Sequence, residues 1–318
     1  MAALAAANVG YAPAYGADPV TARAGDLVRE LLDADAEVRF VASGTAANAL
    51  ALATLCRPFE AVLAHHHAHI LVEEAGAPTF FGGGLALVGL PGEAGRVDPA
   101  ALEAALALPE TASRQSPAAL SLTNTTEYGA LYSAGAIVRL TASARASGLA
   151  THLDGARIAN AAAAGLDLTH IAKLGIDILV IGGTKAGMPP TEAVVIFDRK
   201  LANRFDTRLK QCGQLPAKAR FLAAPFIGML ETGAFLRHAA HANAMARRLA
   251  AAQPFPLRHP VDANGVFLQI DGPSLRRLND AGWFAKRVHD GSVRFMCSWA
   301  TTPATVDQLC EDLSAAVR

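Results

Sequence analysis

Short apolar runs alternate with longer alanine-rich or amphipathic segments through the first two thirds of this 318-residue chain. The short runs predict strands, because brief apolar stretches bounded by turn residues are typical of strands buried on both faces. Strands are expected at residues 38–41, 61–63, 85–88, 119–122, 149–153, 176–181 and 193–197, and helices at residues 46–56, 97–106 and 135–147. This alternation predicts an α/β fold with a largely parallel sheet covered by helices on both faces.

The pattern changes after Pro225. A long helix is expected over residues 226–252, followed by a strand at 265–270, a helix at 274–281, a strand at 293–297 and a final helix from residue 303. A mixture of this kind, about a hundred residues long, has the size of an independent α+β lobe. We therefore expect a large domain over residues 1–224 and a small C-terminal domain over residues 225–318.

Polar residues follow several of the predicted strands at the point where each strand ends. They are Asn124, Asp154, Lys185 and the tripeptide Ser43-Gly44-Thr45. In an open α/β sheet, ligands bind beyond the carboxyl ends of the strands. One such residue is usually a cap or a turn residue, but these four positions carry complementary chemistry. Together they predict a binding site at this edge of the sheet.

Lys185 and Asp154 are the most informative of these residues. A lysine at the end of a buried strand costs free energy unless its charge has a use, and an aspartate at the end of another strand offers one. The pair suggests a pyridoxal phosphate (PLP) site, in which the lysine binds the cofactor covalently and the aspartate faces the pyridine nitrogen. Taken singly, Lys185 is equally a solvated loop lysine, and Asp154 is equally a salt-bridge partner of Arg157.

The tripeptide Ser43-Gly44-Thr45 lies between a predicted strand and a predicted helix. Backbone amides and hydroxyls at the start of a helix hold phosphate well, because the helix dipole is positive there. An ordinary N-cap with a glycine turn explains the same residues. The segment matches neither a Walker A motif nor the glycine pattern of dinucleotide-binding proteins, which argues against a nucleotide ligand.

Four histidines cluster at His65, His66, His67 and His69. Imidazoles are common metal ligands, but neighbours on an extended segment point to opposite faces, so only alternate side chains converge. No cysteine or carboxylate stands at a recognised metal spacing. We expect no metal site, and we interpret one of these histidines as lying over a cofactor ring.

Charge and composition narrow the classes of partner. Lys plus Arg and Asp plus Glu both total 28, so no net charge attracts nucleic acid or an anionic membrane. No apolar run is long enough to span a bilayer. The four cysteines, Cys56, Cys212, Cys297 and Cys310, lie far apart, which is typical of free thiols in a reducing compartment. We expect a cytoplasmic protein that binds neither nucleic acid nor membranes.

Further segments, in a fixed order, carry a family pattern. They are Tyr15-Gly16-Ala17-Asp18, Ser43-Gly44-Thr45-Ala46-Ala47-Asn48, Ala68-His69-Ile70, Glu74-Ala75-Gly76-Ala77-Pro78, Thr125-Thr126-Glu127-Tyr128-Gly129, and residues 152–161 and 182–188. In these segments the chain resembles the threonine aldolase and β-eliminating lyase family of fold-type-I PLP enzymes over nearly its full length. The likeness is closest to bacterial low-specificity L-threonine aldolases, and its most specific segments surround Asp154 and Lys185.

The resemblance assigns roles to individual residues. Lys185 would hold PLP, Asp154 would pair with its ring nitrogen, and Ser43-Gly44-Thr45 would bind its phosphate. His69 matches a histidine that stacks on the cofactor and helps handle the substrate hydroxyl.

Three cationic residues complete the expected site. Arg157 matches an arginine close to both cofactor and substrate, and Arg294 matches an arginine that binds the substrate carboxylate. Lys210 lies in a basic segment that would reach the phosphate across a subunit interface. Because family active sites draw residues from two subunits, the resemblance implies a homodimer or a homotetramer.

The resemblance also implies an activity. It is the PLP-dependent cleavage of L-threonine, L-allo-threonine or a related β-hydroxy-α-amino acid to glycine and an aldehyde. The same residues are compatible with β-elimination, with racemisation or with cleavage of bulkier substrates such as phenylserine. A non-catalytic protein of the same fold, acting through binding or assembly, is the alternative from another class.

The N-terminus departs from the family pattern. The family opens with a short extended segment that carries a Ser-Asp-Asn or Ser-Asp-Thr motif, whereas this sequence begins inside the helix that follows, at residues 1–8. We expect that the start was assigned at an internal methionine; the alternative is a real loss of part of the substrate grip. If the chain is native as written, substrate binding would be weaker and PLP binding would be retained.

Overall fold

A seven-stranded sheet forms the centre of the computed structural model, which describes residues 1–317. Its strands are β1 (Glu37–Val41), β2 (Glu60–His65), β3 (Ala86–Leu90), β4 (Ser116–Thr123), β5 (Ala150–Gly155), β6 (Ile178–Gly182) and β7 (Glu192–Ile196). From one edge of the sheet to the other, the strand order is β1-β7-β6-β5-β4-β2-β3.

The strand directions bring several chain segments to one edge of this sheet. The five strands from β3 to β6 in spatial order run parallel to one another, whereas β7 is antiparallel to both of its neighbours, β6 and β1. β1 therefore runs in the same direction as β6. The carboxyl ends of β1, β4, β5 and β6 lie at the same edge, together with the start of β7. The predicted α/β fold with a mainly parallel sheet is confirmed.

Helices cover both faces of the sheet. Along β6, Leu179 and Ile181 belong to one apolar core, while Ile178 and Val180 belong to another, as expected for a strand whose side chains alternate between two covered faces. The helices of this part are α1 (Ala2–Ala7), α2 (Pro19–Leu32), α3 (Gly44–Leu55), α4 (His69–Val72), α5 (Ala77–Phe81), α6 (Pro99–Leu106), α7 (Ala134–Ala146), α8 (Ile158–Ala163) and α9 (Ala202–Gln211).

The single long helix predicted over residues 226–252 is wrong. The structure has two helices there, α10 (Arg220–Glu231) and α11 (Ala234–Ala252). Gly233 separates them and adopts the left-handed conformation, with φ of 65°. Glycine reaches this region without a steric penalty, so it turns the chain where a helical pattern alone predicts continuity.

A second, smaller layer follows α11. It is a three-stranded antiparallel sheet of β8 (Gly265–Leu268), β9 (Lys286–Arg287) and β10 (Val293–Met296), in the order β8-β10-β9. The first half of α11 packs Phe235 and Ala239 into the main core, and its second half packs Ala246 and Leu249 against the small sheet. The division into domains at residue 225 stays a prediction. The remaining helices are α12 (Gly272–Asp280) and α13 (Pro303–Val317).

None of the helices within residues 1–317 combines the length and the apolar character that crossing a membrane requires.

Candidate active site

The turn that carries Lys185 is held tightly at the end of β6. The chain leaves β6 at Gly182 and makes a short 3-10 turn over Thr184–Ala186. A side chain at Gly183 would place its Cβ 2.5 Å from the carbonyl oxygen of Thr191, so only glycine fits there. His238 donates a hydrogen bond of 3.0 Å to the carbonyl of Ala186 on the other side of the turn. The lysine is thus presented from a rigid support.

Asp154 lies near the end of β5 and is buried. Its Oδ1 accepts a 2.9 Å hydrogen bond from the amide of Ala156, and its Oδ2 accepts one of 2.9 Å from the side chain of Asn48. The carboxylate of Asp154 is held by these two hydrogen bonds and not by the salt bridge to Arg157 that the sequence offered as an alternative. Burial alone would raise the pKa of Asp154, but Lys185, His152 and the two hydrogen bonds lower it. The side chain is therefore ionised.

One cavity of about 670 Å³ brings most of the predicted site residues together. It lies at the carboxyl edge of the main sheet and is closed on one side by residues 284–289 of the small layer. Lys185 lines this cavity. Burial and the nearby charge of Arg157 lower the pKa of the lysine. The predicted residues that line this cavity are Gly44, His69, Asp154, Arg157, Lys185 and Arg294.

The two arginines face the same cavity from different layers. Arg157 follows β5, and Arg294 lies on β10 of the small sheet. Burial and the nearby charge of Arg294 lower the pKa of Arg157. Two guanidinium groups converging in this way create a site for an anion, and their planar forks match a carboxylate.

The predicted phosphate tripeptide divides between two cavities. Ser43 caps α3 by accepting a 3.2 Å hydrogen bond from the amide of Ala46. Gly44 lines the main cavity, and no atom lies within 4 Å of where its Cβ would stand. Ser43 and Thr45 line a neighbouring cavity of about 220 Å³ instead. The glycine leaves the first turn of α3 open to a ligand, as a phosphate site requires.

Two predicted residues lie elsewhere in a single chain. Lys210, on α9, places its Nζ 4.1 Å from the centre of the Tyr15 ring and does not line the main cavity. Asn124 is fully buried, where it donates to the carbonyl of Tyr132 and accepts from the amide of Tyr132. Asn124 therefore braces the loop after β4 and does not supply a side chain to the site.

His69 is oriented by a buried acid. Its Nδ1 lies 2.8 Å from Oε1 of Glu74, so Nδ1 donates and Nε2 is left free. Its backbone amide donates a 2.8 Å hydrogen bond to Glu127. The bond to Glu74 raises the pKa of His69, although burial opposes the shift. A histidine held in this way is suited to proton transfer.

The expected divergence of the neighbouring histidines is wrong. β2 ends at His65 and the chain then turns, so the rings of His65, His66 and His67 gather with centroids 4.1 to 5.6 Å apart. The Nε2 of His65 donates to the carbonyl of Gly92, and its Nδ1 accepts from the amide of His67. Both nitrogens of His65 are thus used by the protein. The absence of a metal stays a prediction.

Comparison with known proteins identifies the family. The family model for beta-eliminating lyases matches residues 1–273. A low specificity L-threonine aldolase of Pseudomonas sp. (strain NCIMB 10558) is 43% identical over 323 residues, which cover 99% of this chain and 93% of that protein. The chain belongs to the threonine aldolase and β-eliminating lyase family. The family resemblance seen in the sequence is confirmed.

Solved structures extend this relation within the family and beyond it. The threonine aldolase of Leishmania major has a TM-score of 0.92 at 32% identity and covers 99% of this chain and 94% of its own. A serine palmitoyltransferase of S. paucimobilis with bound PLP has a TM-score of 0.69 at 18% identity. The match covers 99% of this chain and 82% of that one. The latter shows a shared fold alone. The fold is that of the fold-type-I PLP enzymes, as predicted.

These findings indicate PLP as the cofactor, and the residues fit that family assignment. An ionised carboxylate matches a protonated pyridine nitrogen, and a lysine of lowered pKa is the nucleophile that an aldehyde needs. The open first turn of α3 suits a phosphate. All three features reach the same cavity. Lys185, Asp154 and Gly44 are therefore the residues that would hold the cofactor.

Three acidic or amide side chains in or beside this cavity had no predicted role, although two of them lie in the segments that carry the family pattern. They are Asn48 on α3, Glu127 after β4 and Glu192 at the start of β7. Burial raises the pKa of Glu127 and of Glu192 to about 7 in each case. A polar residue in an apolar stretch was the available signal, since Asn48 interrupts an alanine and leucine helix and Glu192 opens an apolar strand. The hydrogen-bond partners of Asn48 and Glu127 could not be predicted, because they lie far away in the sequence.

Proposed function

We propose that this protein is a PLP-dependent aldehyde-lyase that cleaves L-threonine, L-allo-threonine or a related β-hydroxy-α-amino acid to glycine and an aldehyde. The observation that carries the proposal is one cavity lined by Lys185, Asp154, His69 and two arginines. The 43% identical protein of Pseudomonas sp., named a low specificity L-threonine aldolase, supports the choice of substrate.

The cofactor side of the proposal uses three parts of the site. Lys185 would bind PLP covalently, and the carboxylate of Asp154 would pair with the ring nitrogen. Gly44, with the flanking Ser43 and Thr45, would hold the phosphate at the start of α3. When bound, PLP draws electrons away from the substrate Cα, which makes a bond at that carbon easier to break.

The substrate side assigns a task to each remaining group. Arg294, with Arg157 beside it, binds the carboxylate and sets the orientation of Cα. The free Nε2 of His69, or a water that it orients, takes the proton of the β-hydroxyl. The Cα–Cβ bond then breaks, Cβ leaves as the aldehyde carbonyl, and a proton is returned to Cα to give glycine.

A second subunit is part of the proposal. Exposed aromatic side chains lie near the N-terminal segment and α5, among them Tyr11, Tyr15, Phe80 and Phe81. Apolar groups of this size are typical of surfaces that another chain covers. We propose a homodimer or homotetramer in which Lys210 reaches the phosphate of the neighbouring site. The four free thiols support a reducing compartment, the cytoplasm.

A second candidate substrate has support in one wall of the cavity. His67 stacks on His289 with ring centroids 5.3 Å apart and meets Tyr128 edge-on at 5.7 Å, and all three residues line the cavity. An aromatic wall favours a substrate with an aryl group on Cβ. Phenylserine, which would give glycine and benzaldehyde, is therefore the alternative substrate.

The test is a product assay on the purified, PLP-loaded protein. L-threonine should give acetaldehyde and glycine in equal amounts, whereas β-elimination from the same substrate would give 2-oxobutyrate and ammonia. Phenylserine is assayed in parallel for benzaldehyde. A PLP-loaded protein that releases 2-oxobutyrate without glycine would contradict the proposed reaction, and one that forms benzaldehyde alone would favour the second substrate.

A further inference from the structure

Asn48 lies between two buried carboxylates at the cavity, those of Asp154 and Glu74. It lies in the second turn of α3, in an otherwise apolar stretch, and is 2% exposed. Its Nδ2 donates a 2.9 Å hydrogen bond to Oδ2 of Asp154 and a 2.8 Å hydrogen bond to Oε1 of Glu74. One side-chain amide therefore serves two buried carboxylates at once.

The orientation of this amide follows from its partners. Ionised carboxylates accept hydrogen bonds and donate none, so the NH₂ group of Asn48 must face both of them. A buried carboxylate without a donor binds protons more tightly, and two of them close together increase that tendency. The hydrogen bond from Asn48 offsets this cost for Asp154, whose pKa it helps to lower.

The bridge continues to the histidine. Oε1 of Glu74, which accepts from Asn48, also lies 2.8 Å from Nδ1 of His69. An unbroken path of three hydrogen bonds thus runs from His69 through Glu74 and Asn48 to Asp154. One end is the group proposed to handle the substrate proton, and the other end is the carboxylate proposed to face the cofactor ring.

We propose that Asn48 is a positioning residue that couples the protonation of His69 to the charge of Asp154. The inference rests on the proposed function for the place of PLP and for the role of His69. When His69 gains a proton, the new positive charge draws the Glu74 carboxylate toward the histidine. Asn48 is then freer to donate to Asp154, which favours the ionised form of that carboxylate.

The test is a pH titration of the visible absorption band of bound PLP in the holoenzyme, without substrate. Four proteins form a cycle: the wild type, His69→Gln, Asn48→Ala and the double variant. His69→Gln should move the midpoint by about half a pH unit or more in the wild-type background, and by clearly less when Asn48 is also absent. Asn48→Ala alone should shift the midpoint by roughly one pH unit.

Thr54→Val is the matched control. Thr54 lies on the same helix, is fully buried and donates 2.7 Å to the carbonyl of Leu50 within that helix. This variant loses a buried hydrogen bond on α3 without touching the path. It should keep the wild-type midpoint and the wild-type response to His69→Gln.

The outcomes separate the proposal from the function on which it rests. Equal midpoint shifts on His69→Gln with and without Asn48 would overturn the coupling, whether or not threonine is cleaved. If Asn48→Ala does not fold or load PLP, Asn48→Ser replaces it, because serine donates to only one carboxylate and should give a reduced shift. A wild type that forms no PLP band refutes the proposed function and this inference together, whereas a PLP-loaded wild type that cleaves neither threonine nor phenylserine refutes the function alone.

Discussion

The carboxylate of Glu192 accepts a 2.7 Å hydrogen bond from the backbone amide of Gly183, two residues before Lys185. The bond ties the start of β7 to the turn after β6, and it exists because β7 runs antiparallel to β6. Burial raises the pKa of Glu192 to about 7, while the nearby lysine opposes the shift. The position of the proposed cofactor lysine therefore depends on an acid from the one strand that reverses direction between β6 and β1.

Replacing Glu192 should loosen this turn. Glu192→Ala leaves the amide of Gly183 buried without an acceptor, which should lower the free energy of unfolding by about 1–3 kcal/mol. Glu192→Gln keeps an acceptor oxygen and removes the charge, so it should lose less. Urea unfolding followed by circular dichroism gives both values, and equal losses in the two variants would show that the hydrogen bond to Gly183 is not what matters.

Gly183 itself should tolerate no side chain. The Cβ of Gly183→Ala would meet the carbonyl of Thr191 at 2.5 Å, so the Lys185 turn must move, at a cost of about 1–3 kcal/mol. Gly135→Ala is the control, because this helix position on α7 has no atom within 4 Å of its Cβ and should gain about 0.5–1 kcal/mol. Thermal melts and the PLP band measure the two effects, and an unchanged Gly183→Ala protein would contradict the described turn.

The stability of the cofactor-free protein should fall as the pH rises from about 4.5 to above 7. Burial raises the pKa of Glu127 to about 7 from 4.5, and the folded state therefore binds this proton more tightly than the unfolded state does. The resulting stabilisation is complete below the unfolded pKa and is lost as the pH rises through the folded pKa. For Glu127 the loss is on the order of 3 kcal/mol.

Denaturant unfolding at several pH values measures this effect. Glu127→Gln should reduce the slope between pH 5 and pH 8, because the amide carries no proton to lose. Part of the slope should remain, because burial raises the pKa of Glu192 to about 7 as well. Glu110→Gln, at an exposed position, should leave the slope unchanged. A Glu127→Gln protein with the wild-type slope would show that Glu127 does not titrate in this range.

Arg294 should affect substrate binding more than cofactor binding. Arg294→Lys keeps the positive charge and loses the planar fork that binds a carboxylate through two bonds. We expect kcat/KM for L-threonine to fall about 10- to 100-fold, chiefly through KM, with the PLP band retained. Arg276→Lys, exposed on α12, should behave as the wild type. Loss of the PLP band in Arg294→Lys would place this arginine on the cofactor instead.

Strand ends were the most informative part of the sequence. Short apolar runs located β5 and β6, and the rule that ligands bind beyond the carboxyl ends of strands brought Asp154 and Lys185 to one site. The family resemblance added His69, Arg157 and Arg294, which no periodicity singles out. All five residues line the cavity in the structure.

The features that the sequence left hidden depend on distant partners or on chain direction. An apolar run predicts a strand without its direction, so the contact of Glu192 with the Lys185 turn was invisible. Asn48 and Asp154 are 106 positions apart, and the sequence around either residue does not predict their contact. The turn after His65 and the break at Gly233 were missed because local periodicity does not show where a chain bends.

The most direct test of the proposed function compares the wild type with Lys185→Ala. The measurement is the release of acetaldehyde and glycine from L-threonine, with the visible PLP band recorded in the same samples. We expect equal amounts of both products from the wild type, and in Lys185→Ala a loss of the covalent band and a decrease in kcat of about a thousand-fold or more. A Lys185→Ala protein that keeps both the band and the turnover would contradict the account.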